Sequence, residues 1–355
     1  MGTHRFSGDR ITVEIPDPLL WTPDHPHLYH CTVTDGSDTV ESYFALRTVR
    51  TAIAGGKPVI TLNDSPIFCH GLLDQGYFSD GIYLPATPSG FTSDILSMKR
   101  LGFNMLRKHI KIEPQRFYYD CDRYGMLVFQ DMVNSGKYSF FLDTVLPTAG
   151  LKKGISHRAT EARRAQFESD AKGTVELLYN HPCVVYYTIF NEGWGQYDAD
   201  EVYRSLKALD PSRLWDATSG WFAENESDTV SEHIYFRKIK LKPHPTRPLV
   251  LSEFGGYSCK LPEHSFNLSN TYGYRFFEDR QAFMEALEQL YCNEILPAID
   301  QGLTATVLTQ VSDVEDETNG LVTYDRQVIK VDEERMQRIA NRLYQRFESV
   351  TAERP

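Results

Sequence analysis

The most informative segment of this chain is HPCVVYYTIFNEGWGQYD, residues 181–198. The stretch begins with apolar, β-branched and aromatic residues and changes abruptly to polar residues at Asn191 and Glu192. A continuously apolar strand is typical of a parallel sheet that is covered on both faces. A carboxylate at the end of such a strand calls for an explanation, because buried strands rarely carry charge.

Seven further apolar runs resemble this one, and helical patterns separate most of them. The eight runs predict strands near residues 67–73, 104–110, 126–132, 184–192, 214–220, 230–236, 248–256 and 304–313. The helical patterns cover residues 93–102, 113–125, 158–180, 198–210, 279–302 and 332–350. This alternation predicts an α/β fold, a (β/α)8 TIM barrel over residues 53–355, with the sixth helix missing from a short proline-rich link. The sequence has no glycine-rich turn or P-loop that would favour a nucleotide-binding sheet.

The first 52 residues have a different pattern. Residues 10–15, 27–34 and 38–49 alternate apolar and polar side chains or are rich in β-branched and aromatic ones, and Pro, Asp and Gly separate them. Such segments predict antiparallel strands. A complete sandwich has about seven strands in about 100 residues, so residues 1–52 predict only part of an antiparallel β domain.

Composition and charge exclude several classes of partner. The chain has 355 residues, of which 41% are hydrophobic and 24% charged, as in ordinary folded proteins. Asp and Glu number 48 against 37 Lys and Arg, without a dense basic run, so no nucleic acid is expected as a partner. No apolar run approaches the roughly 20 residues that span a bilayer, so no membrane partner is expected. The N-terminus has no apolar segment typical of a secretory signal, so a cytoplasmic location is predicted.

Cysteine and histidine spacing predicts neither a metal nor a cofactor. Six cysteines occur without a CxxC pair and are expected to be free thiols in a reducing compartment. His25, His27 and His30 lie close together, but the prolines around them and the alternating residues that follow favour a turn into a strand over a zinc site.

Polar residues end most of the predicted barrel strands, where the active sites of such barrels lie. Two of them are glutamates, Glu192 after the fourth strand and Glu253 after the apolar part of the seventh. One such glutamate could simply pair with a nearby Arg or Lys. Two that face one pocket are what glycoside hydrolysis requires, since one carboxyl group donates a proton while the other is ionised. The remaining strand ends carry Arg107, Lys108, His109, Gln130, Asp131, Asn191, His233, Tyr235, Gln310 and Asp313.

Several segments together resemble glycoside hydrolase family 2, which contains β-galactosidases, β-glucuronidases and β-mannosidases. NHPCVVYYTIFNEGWGQ and RPLVLSEFGG resemble its acid/base and nucleophile segments. LWTPDHPHLYHCTV and VESYFALRTV resemble the end of its immunoglobulin-like domain, and residues 101–132 resemble its second and third barrel units. LTQVSDVEDETNGLVTYDR is similar to its eighth strand and the following loop.

The resemblance implies a role for each matching residue. Glu192 corresponds to the general acid/base and Glu253 to the nucleophile of a retaining exo-β-glycosidase, and Asn191 is expected to contact the sugar 2-hydroxyl. A retaining mechanism requires carboxyl groups about 5 to 5.5 Å apart, against about 6.5 to 9.5 Å for inversion. Glu192 must also have a raised pKa, which the charge of Glu253 would promote. Further residues that match the sugar site are His109, Asp131, Tyr235 and Trp194, and Tyr235 is also expected to hold Glu253 ionised.

A departure from the family pattern and an acidic loop leave alternatives open. Asp74 and Gln75 stand where many members have another motif, so the sugar is not fixed; β-galactosides are expected first and β-glucuronides second. The acidic loop DVEDETNG is expected to be solvated rather than to bind a cation. The partner expected is a carbohydrate substrate, together with a second copy of the chain or the family's N-terminal domains. A carbohydrate-binding barrel without turnover and an unrelated metal-dependent barrel are the other functional readings.

Overall fold

The computed structural model describes residues 2–134, 136, 139, 141, 145, 146 and 159–352. Its central element is an eight-stranded parallel sheet that forms a TIM barrel, as predicted. The barrel strands are β6 (Cys69–Asp74), β7 (Met105–Lys108), β8 (Leu127–Asp131), β9 (Val184–Asn191), β10 (Leu214–Ser219), β11 (Val230–Ile234), β12 (Leu249–Gly255) and β15 (Leu303–Thr309). The eight predicted apolar runs correspond to these eight strands, and all of β6 to β10, β12 and β15 are buried.

Backbone hydrogen bonds join the barrel strands in the order β10-β9-β8-β7-β6-β15-β12-β11. The two end strands of this order, β10 and β11, meet at a seam that side chains close. The Ser231 hydroxyl on β11 donates to the carbonyl oxygen of Thr218 on β10 at 3.1 Å. Ser219 on β10 and His233 on β11 also contact each other across the seam, with 3.0 Å between Oγ and Nε2. Side chains therefore complete the barrel where the backbone ladder stops.

Helices cover the outside of the barrel and follow the predicted pattern. They are α1 (Ser89–Arg100), α2 (Gln115–Tyr124), α3 (Glu161–Leu178), α4 (Ala199–Leu209), α5 (Arg280–Leu290), α6 (Leu296–Ile299) and α7 (Glu333–Thr351), with a π-helical turn (Tyr291–Ile295) between α5 and α6. Local signals fix their ends: Thr160, Asp279 and Asp332 accept hydrogen bonds from the first turns of α3, α5 and α7. As expected, no helix lies among residues 235–248, all of which the structure describes.

Short antiparallel sheets precede the barrel. The strands β1 (Tyr29–Asp35) and β2 (Asp38–Phe44) form a hairpin, which is the immunoglobulin-like part of the chain. The strands β3 (Val49–Ala54), β4 (Lys57–Leu62) and β5 (Ser65–Pro66) form a second sheet, in which β4 is largely buried. The backbone N–H of Ile60 on β4 donates to Thr304 Oγ1 of the barrel strand β15 at 3.2 Å. β3 crosses residue 52, where the sequence placed the domain boundary.

Two further short strands, β13 (Tyr257–Cys259) and β14 (Arg275–Phe277), pair beyond β12.

The strand predicted at residues 10–15 is wrong. These residues are almost entirely exposed, and no strand in the described part of the chain pairs with them to satisfy their backbone groups. The six cysteines are all free thiols, as expected. None of the helices among the described residues is long and apolar enough to cross a membrane.

Trp21 fastens the front of the chain to the barrel. Its side chain is fully buried, and its Nε1–H donates to the carbonyl oxygen of Asp122 in α2 at 2.7 Å. Its backbone N–H donates to Leu46 at 2.8 Å, and its own carbonyl oxygen accepts from Asn63 at 3.0 Å. Trp21 therefore joins the N-terminal segment to the barrel through both its indole and its backbone.

We expect Trp21→Ala to lower the free energy of unfolding by about 3–5 kcal/mol, the usual cost of removing a buried large aromatic side chain. Urea denaturation followed by circular dichroism measures this loss. Leu19→Ala is the matched control, because Leu19 is 59% exposed two residues away, and it should change stability by less than about 0.5 kcal/mol. Equal losses in the two variants would show that the indole does not fasten this segment.

Candidate active site

The carboxyl ends of the barrel strands bring six polar side chains into one group. Their positions follow from the strands: a residue at the end of a parallel strand faces the same rim as its neighbours. The group consists of Arg107 on β7, Asp131 on β8, Asn191 at the end of β9, Glu192 directly after β9, His233 on β11 and Glu253 on β12.

The guanidinium group of Arg107 is buried at the centre of this group. Its Nε–H donates to Asp131 Oδ1 at 2.9 Å, and Nη2 donates to Asn191 Oδ1 at 2.8 Å. Nη1 donates to Glu253 Oε1 at 3.0 Å and to the Ser252 carbonyl oxygen at 2.9 Å. Burial alone would lower the pKa of Arg107, but Asp131 and Glu253 outweigh it and raise the pKa. One fixed cation thus links strands β7, β8, β9 and β12.

Glu253 has donors on both of its oxygens. Besides the Arg107 contact, Tyr235 donates its hydroxyl proton to Glu253 Oε2 at 2.5 Å, and the Tyr235 oxygen lies 2.8 Å from Thr309 Oγ1. Burial and the neighbouring charge of Glu253 raise the pKa of Tyr235 well above its ordinary value, so the phenol keeps its proton and remains a donor. These contacts stabilise negative charge on Glu253 and fix the direction in which it points.

Glu192 occupies a different environment. It lies in the turn after β9 with a φ of 51°, a left-handed conformation that is rare for residues with a side chain. Its backbone N–H donates to Ser219 at 2.9 Å, and its Oε1 lies 2.8 Å from His233 Nδ1. Burial raises the pKa of Glu192 to about 7, against the opposing influence of His109 and Arg107. The sequence predicted a raised pKa, but burial is its cause rather than the charge of Glu253.

The two glutamates face each other across His233. One oxygen of each carboxylate and one imidazole nitrogen lie within 4.8 Å of one another. The imidazole is buried, and burial lowers its pKa to about 4, so His233 is neutral at neutral pH. Such a group could in principle surround a cation, yet its inward atoms already contact each other or Arg107 and Tyr235. The group is therefore two carboxyl groups with a histidine between them, and contacts within the group already engage the atoms that a cation would need as ligands.

The structure places the other predicted site residues around this pair. Asn191 is buried and accepts from Arg107, as described above. Asp131 accepts from Arg107 and lies 2.8 Å from His109 Nδ1. Burial would raise the pKa of Asp131, but Arg107 and His109 outweigh burial and lower it. Trp194 stands in the turn after Glu192 and is 37% exposed.

The acidic loop 313–320 is not the solvated loop that its sequence predicts. Asp313 is buried and forms an ion pair with Lys330 at 2.7 Å. Glu317 Oε2 accepts from Gln75 at 2.9 Å and from Gln310 at 2.6 Å. These contacts seat the loop against the barrel rim, because buried lysine and amide groups require acceptors. Gln75, which departs from the family pattern, therefore helps to hold this loop.

Two residues of the site were noted at strand ends but not predicted as site residues. Arg107 and His233 each follow an apolar run in the sequence, which is the signal that singled out the two glutamates. Ser219 and Ser252, which contact His233 and each other, had no comparable signal. A serine inside an apolar run is ordinary, and only the closed barrel brings these two hydroxyls together.

A parallel barrel with paired glutamates at its carboxyl rim is the architecture of a carbohydrate-active enzyme class. The family description "Glycosyl hydrolases family 2, TIM barrel domain" matches residues 60–262, and "Glycosyl hydrolases family 2" matches residues 2–47. The chain belongs to glycosyl hydrolases family 2, which confirms the resemblance in its sequence.

Curated relatives include two bacterial β-galactosidases. The protein of Erwinia tasmaniensis is 25% identical over 265 residues, covering 69% of this chain and 24% of the relative. The protein of Vibrio cholerae is 26% identical over 313 residues, covering 82% of this chain and 28% of the relative. The chain therefore spans about a quarter of the length of these relatives.

Solved structures share the fold at lower identity. A family 2 β-galacturonidase from Eisenbergiella tayi, bound to galacturonate, has a TM-score of 0.65 and 18% identity, with 94% of this chain and 60% of that one covered. A β-glucuronidase from Parabacteroides merdae has a TM-score of 0.62 and 16% identity, with coverage of 88% and 42%. At this identity the similarity establishes the barrel fold.

The raised pKa of Glu192 predicts a pH-dependent gain in stability for Glu192→Gln. The folded protein keeps the Glu192 proton up to about pH 7, whereas the unfolded chain loses it near pH 4.5. The native state therefore binds the extra proton between these values, and stability falls as pH rises through that window. At pH 8 we expect the variant to be more stable than the parent by about 3 kcal/mol, since each pKa unit corresponds to about 1.4 kcal/mol.

Urea denaturation at pH 8 and at pH 4.5 measures this difference, which should largely vanish at the lower pH. Glu176→Gln is the control, because that side chain is 70% exposed on α3 and should show no such pH dependence. An equal gain at both pH values would contradict the assignment, because it would not come from the ionisation of Glu192.

Proposed function

We propose that the chain is the catalytic barrel of a retaining exo-β-glycosidase, with Glu253 as nucleophile and Glu192 as general acid/base. The observation that carries the proposal is the pair itself: carboxylate oxygens within 4.8 Å, one held by two donors and the other with its pKa raised to about 7. A retaining mechanism places its carboxyl groups about 5 to 5.5 Å apart, whereas inversion needs room for a water between them. The short separation supports retention.

In the first step Glu253 attacks the anomeric carbon, forming a carbon–oxygen bond as the glycosidic bond breaks. Glu192 transfers its proton to the departing oxygen, so the aglycone leaves as a neutral alcohol. Tyr235 and Arg107 hold the Glu253 carboxylate in a fixed position before the attack. Preorganised donors of this kind do not need to reorganise during the reaction.

In the second step water hydrolyses the covalent glycosyl-enzyme. Glu192, now ionised, accepts a proton from water while the water oxygen bonds to the anomeric carbon, and Glu253 is released as a carboxylate. Asn191 is positioned to meet the sugar 2-hydroxyl, since Arg107 fixes its amide beside both glutamates. His109 and Asp131 line the same rim. Trp194, which is partly exposed in the turn after Glu192, is the aromatic side chain that we assign to the sugar ring.

The sugar we propose first is a β-galactoside. The curated relatives named above are β-galactosidases at about 25% identity. β-Glucuronides are the second candidate. Gln75, Gln310 and Glu317 form a polar rim that can exchange hydrogen bonds with ring hydroxyls, and such groups rather than the catalytic pair select a sugar.

Mechanism-based trapping tests the nucleophile and the sugar together. We expect incubation with 2-deoxy-2-fluoro-β-galactosyl fluoride to add one glycosyl group to the protein, and peptide mass spectrometry to locate it on Glu253. The gluco, glucurono and manno fluorides run in parallel identify the preferred sugar. Glu253→Gln should take up no label. A folded chain that no fluoride labels would instead support a carbohydrate-binding barrel without turnover.

Leaving-group dependence tests the acid/base. Glu192→Ala should lower kcat/KM by about 10²–10⁴-fold for a methyl glycoside, whose oxygen needs a proton to leave. The rate of the first step should change far less for a 2,4-dinitrophenyl glycoside, because dinitrophenolate leaves without a proton. Azide should then restore turnover of that substrate and give a β-glycosyl azide. An equal loss on both substrates, or an azide product of inverted configuration, would contradict the assigned roles.

A further inference from the structure

A chain of hydrogen bonds runs from the barrel seam to Glu192. The Ser252 hydroxyl donates to the carbonyl oxygen of Glu232 at 3.3 Å, and the Ser219 hydroxyl donates to Ser252 Oγ at 2.9 Å. Ser219 Oγ lies 3.0 Å from His233 Nε2, and His233 Nδ1 lies 2.8 Å from Glu192 Oε1. Both serines and the imidazole are buried, so the chain has a defined set of partners.

The first link gives the chain a direction. A carbonyl oxygen only accepts, so Ser252 uses its one proton on Glu232 and must accept from Ser219. Ser219 then has no proton left for His233, and its oxygen must accept from Nε2–H. Arg107 Nη1 lies 3.4 Å from Nε2, but its two hydrogens are donated at shorter distances to the backbone carbonyl oxygen of Ser252 and to Glu253 Oε1. Nδ1 also lies 3.5 Å from Glu253 Oε2, which is longer than an ordinary N–H···O hydrogen bond, and that oxygen already accepts from Tyr235. The hydrogen bonds therefore assign the proton of the neutral imidazole to Nε2 and leave a lone pair on Nδ1.

The local backbone allows this arrangement only with glycine after Ser219. Gly220 has a φ of 99°, and a Cβ atom added there would lie 2.8 Å from His233 Nδ1. The imidazole ring therefore packs directly on the backbone, which limits how far it can rotate. Ring position and ring proton are both fixed by groups other than Glu192.

We propose that His233 is a positioning residue that selects the protonated form of Glu192, by presenting to it an Nδ1 lone pair fixed by Ser219 and Ser252. A lone pair can accept the Glu192 O–H but repels a carboxylate at 2.8 Å. Moving the ring proton to Nδ1 would place two lone pairs against each other at Ser219. Whichever nitrogen carries the ring proton, ionisation of Glu192 therefore costs one hydrogen bond. This cost opposes ionisation in addition to the cost of burial.

The catalytic consequence of this proposal rests on the proposed function. The lone pair keeps Glu192 as an acid before the first step, and in the second step it favours the return of a proton from water. Two of the surrounding groups act against it, since Arg107 and His109 lower the pKa of Glu192. The titratable and charged groups that interact with Glu192 or His233 are Arg107, His109, Asp131, Glu253, Tyr235 and Tyr274.

The tautomer can be measured without any substrate. Long-range ¹H–¹⁵N spectra of the 355-residue chain with ¹⁵N-labelled histidine, recorded at pH 6, distinguish Nε2–H, Nδ1–H and imidazolium rings. The signal of His233 is assigned by its loss in His233→Asn. We expect the Nε2–H form. An Nδ1–H ring or an imidazolium would overturn the proposal, whether or not the protein hydrolyses a glycoside.

Ser219→Ala tests the effect on Glu192, because it removes the acceptor of Nε2–H and keeps the backbone carbonyl that receives the Glu192 N–H. We expect the basic limb of the pH profile of kcat/KM for an alkyl glycoside to move down by about one pH unit. The profile for a 2,4-dinitrophenyl glycoside should keep its position, because that substrate needs no acid. His233→Asn should shift the same limb, since its amide can turn an N–H toward the carboxylate.

Ser231→Ala is the matched control, since Ser231 is a buried seam hydroxyl that bonds to Thr218 O rather than to His233. If Ser219→Ala lowered the rates on both substrates without moving the basic limb of the pH profile, its effect would be purely structural. That result would overturn the proposal. A chain that takes no label from any fluoro sugar but has the Nε2–H tautomer would reject the proposed function alone. Labelling of Glu253 with an Nδ1–H ring would reject only the role of His233.

Discussion

The buried guanidinium of Arg107 is the interaction on which the site depends. It is a charge in a nearly dry environment, and a buried ion is tolerable only when its hydrogen bonds are satisfied. Asp131, Asn191, Glu253 and a backbone carbonyl supply its acceptors from three other barrel strands. Because its fork is planar and rigid, it also orients each of them. Lysine could not replace this geometry.

The two glutamates acquire different properties from what lies beside them. Glu253 receives a cation and a phenol, so its negative charge is compensated. Glu192 meets a neutral histidine and a partly dry surrounding, which favour the protonated form. In the proposed mechanism the difference between acid and nucleophile therefore comes from the neighbours, since the two side chains are chemically identical.

The seam between β10 and β11 links fold and site. Backbone pairing ends there, so side chains on the two strands take over the closure of the barrel. Among them, Ser219 and His233 lie next to Glu192 and join closure to the control of its proton. Polar side chains are thus part of the barrel wall where the backbone hydrogen bonds between strands are missing.

The amino-acid pattern was sufficient to predict the barrel, because eight apolar runs separated by helical patterns have few other arrangements that bury them on both faces. It also predicted that Glu192 and Glu253 lie at one rim, since strand ends of a barrel share a rim. The partners of the site residues depend on the tertiary structure: Arg107 contacts residues 24, 84 and 146 positions away, and Asp313 pairs with Lys330 instead of meeting solvent. The pKa of Glu192 and the proton position on His233 depend on burial and on hydroxyls from distant strands, and no local pattern of residues encodes these.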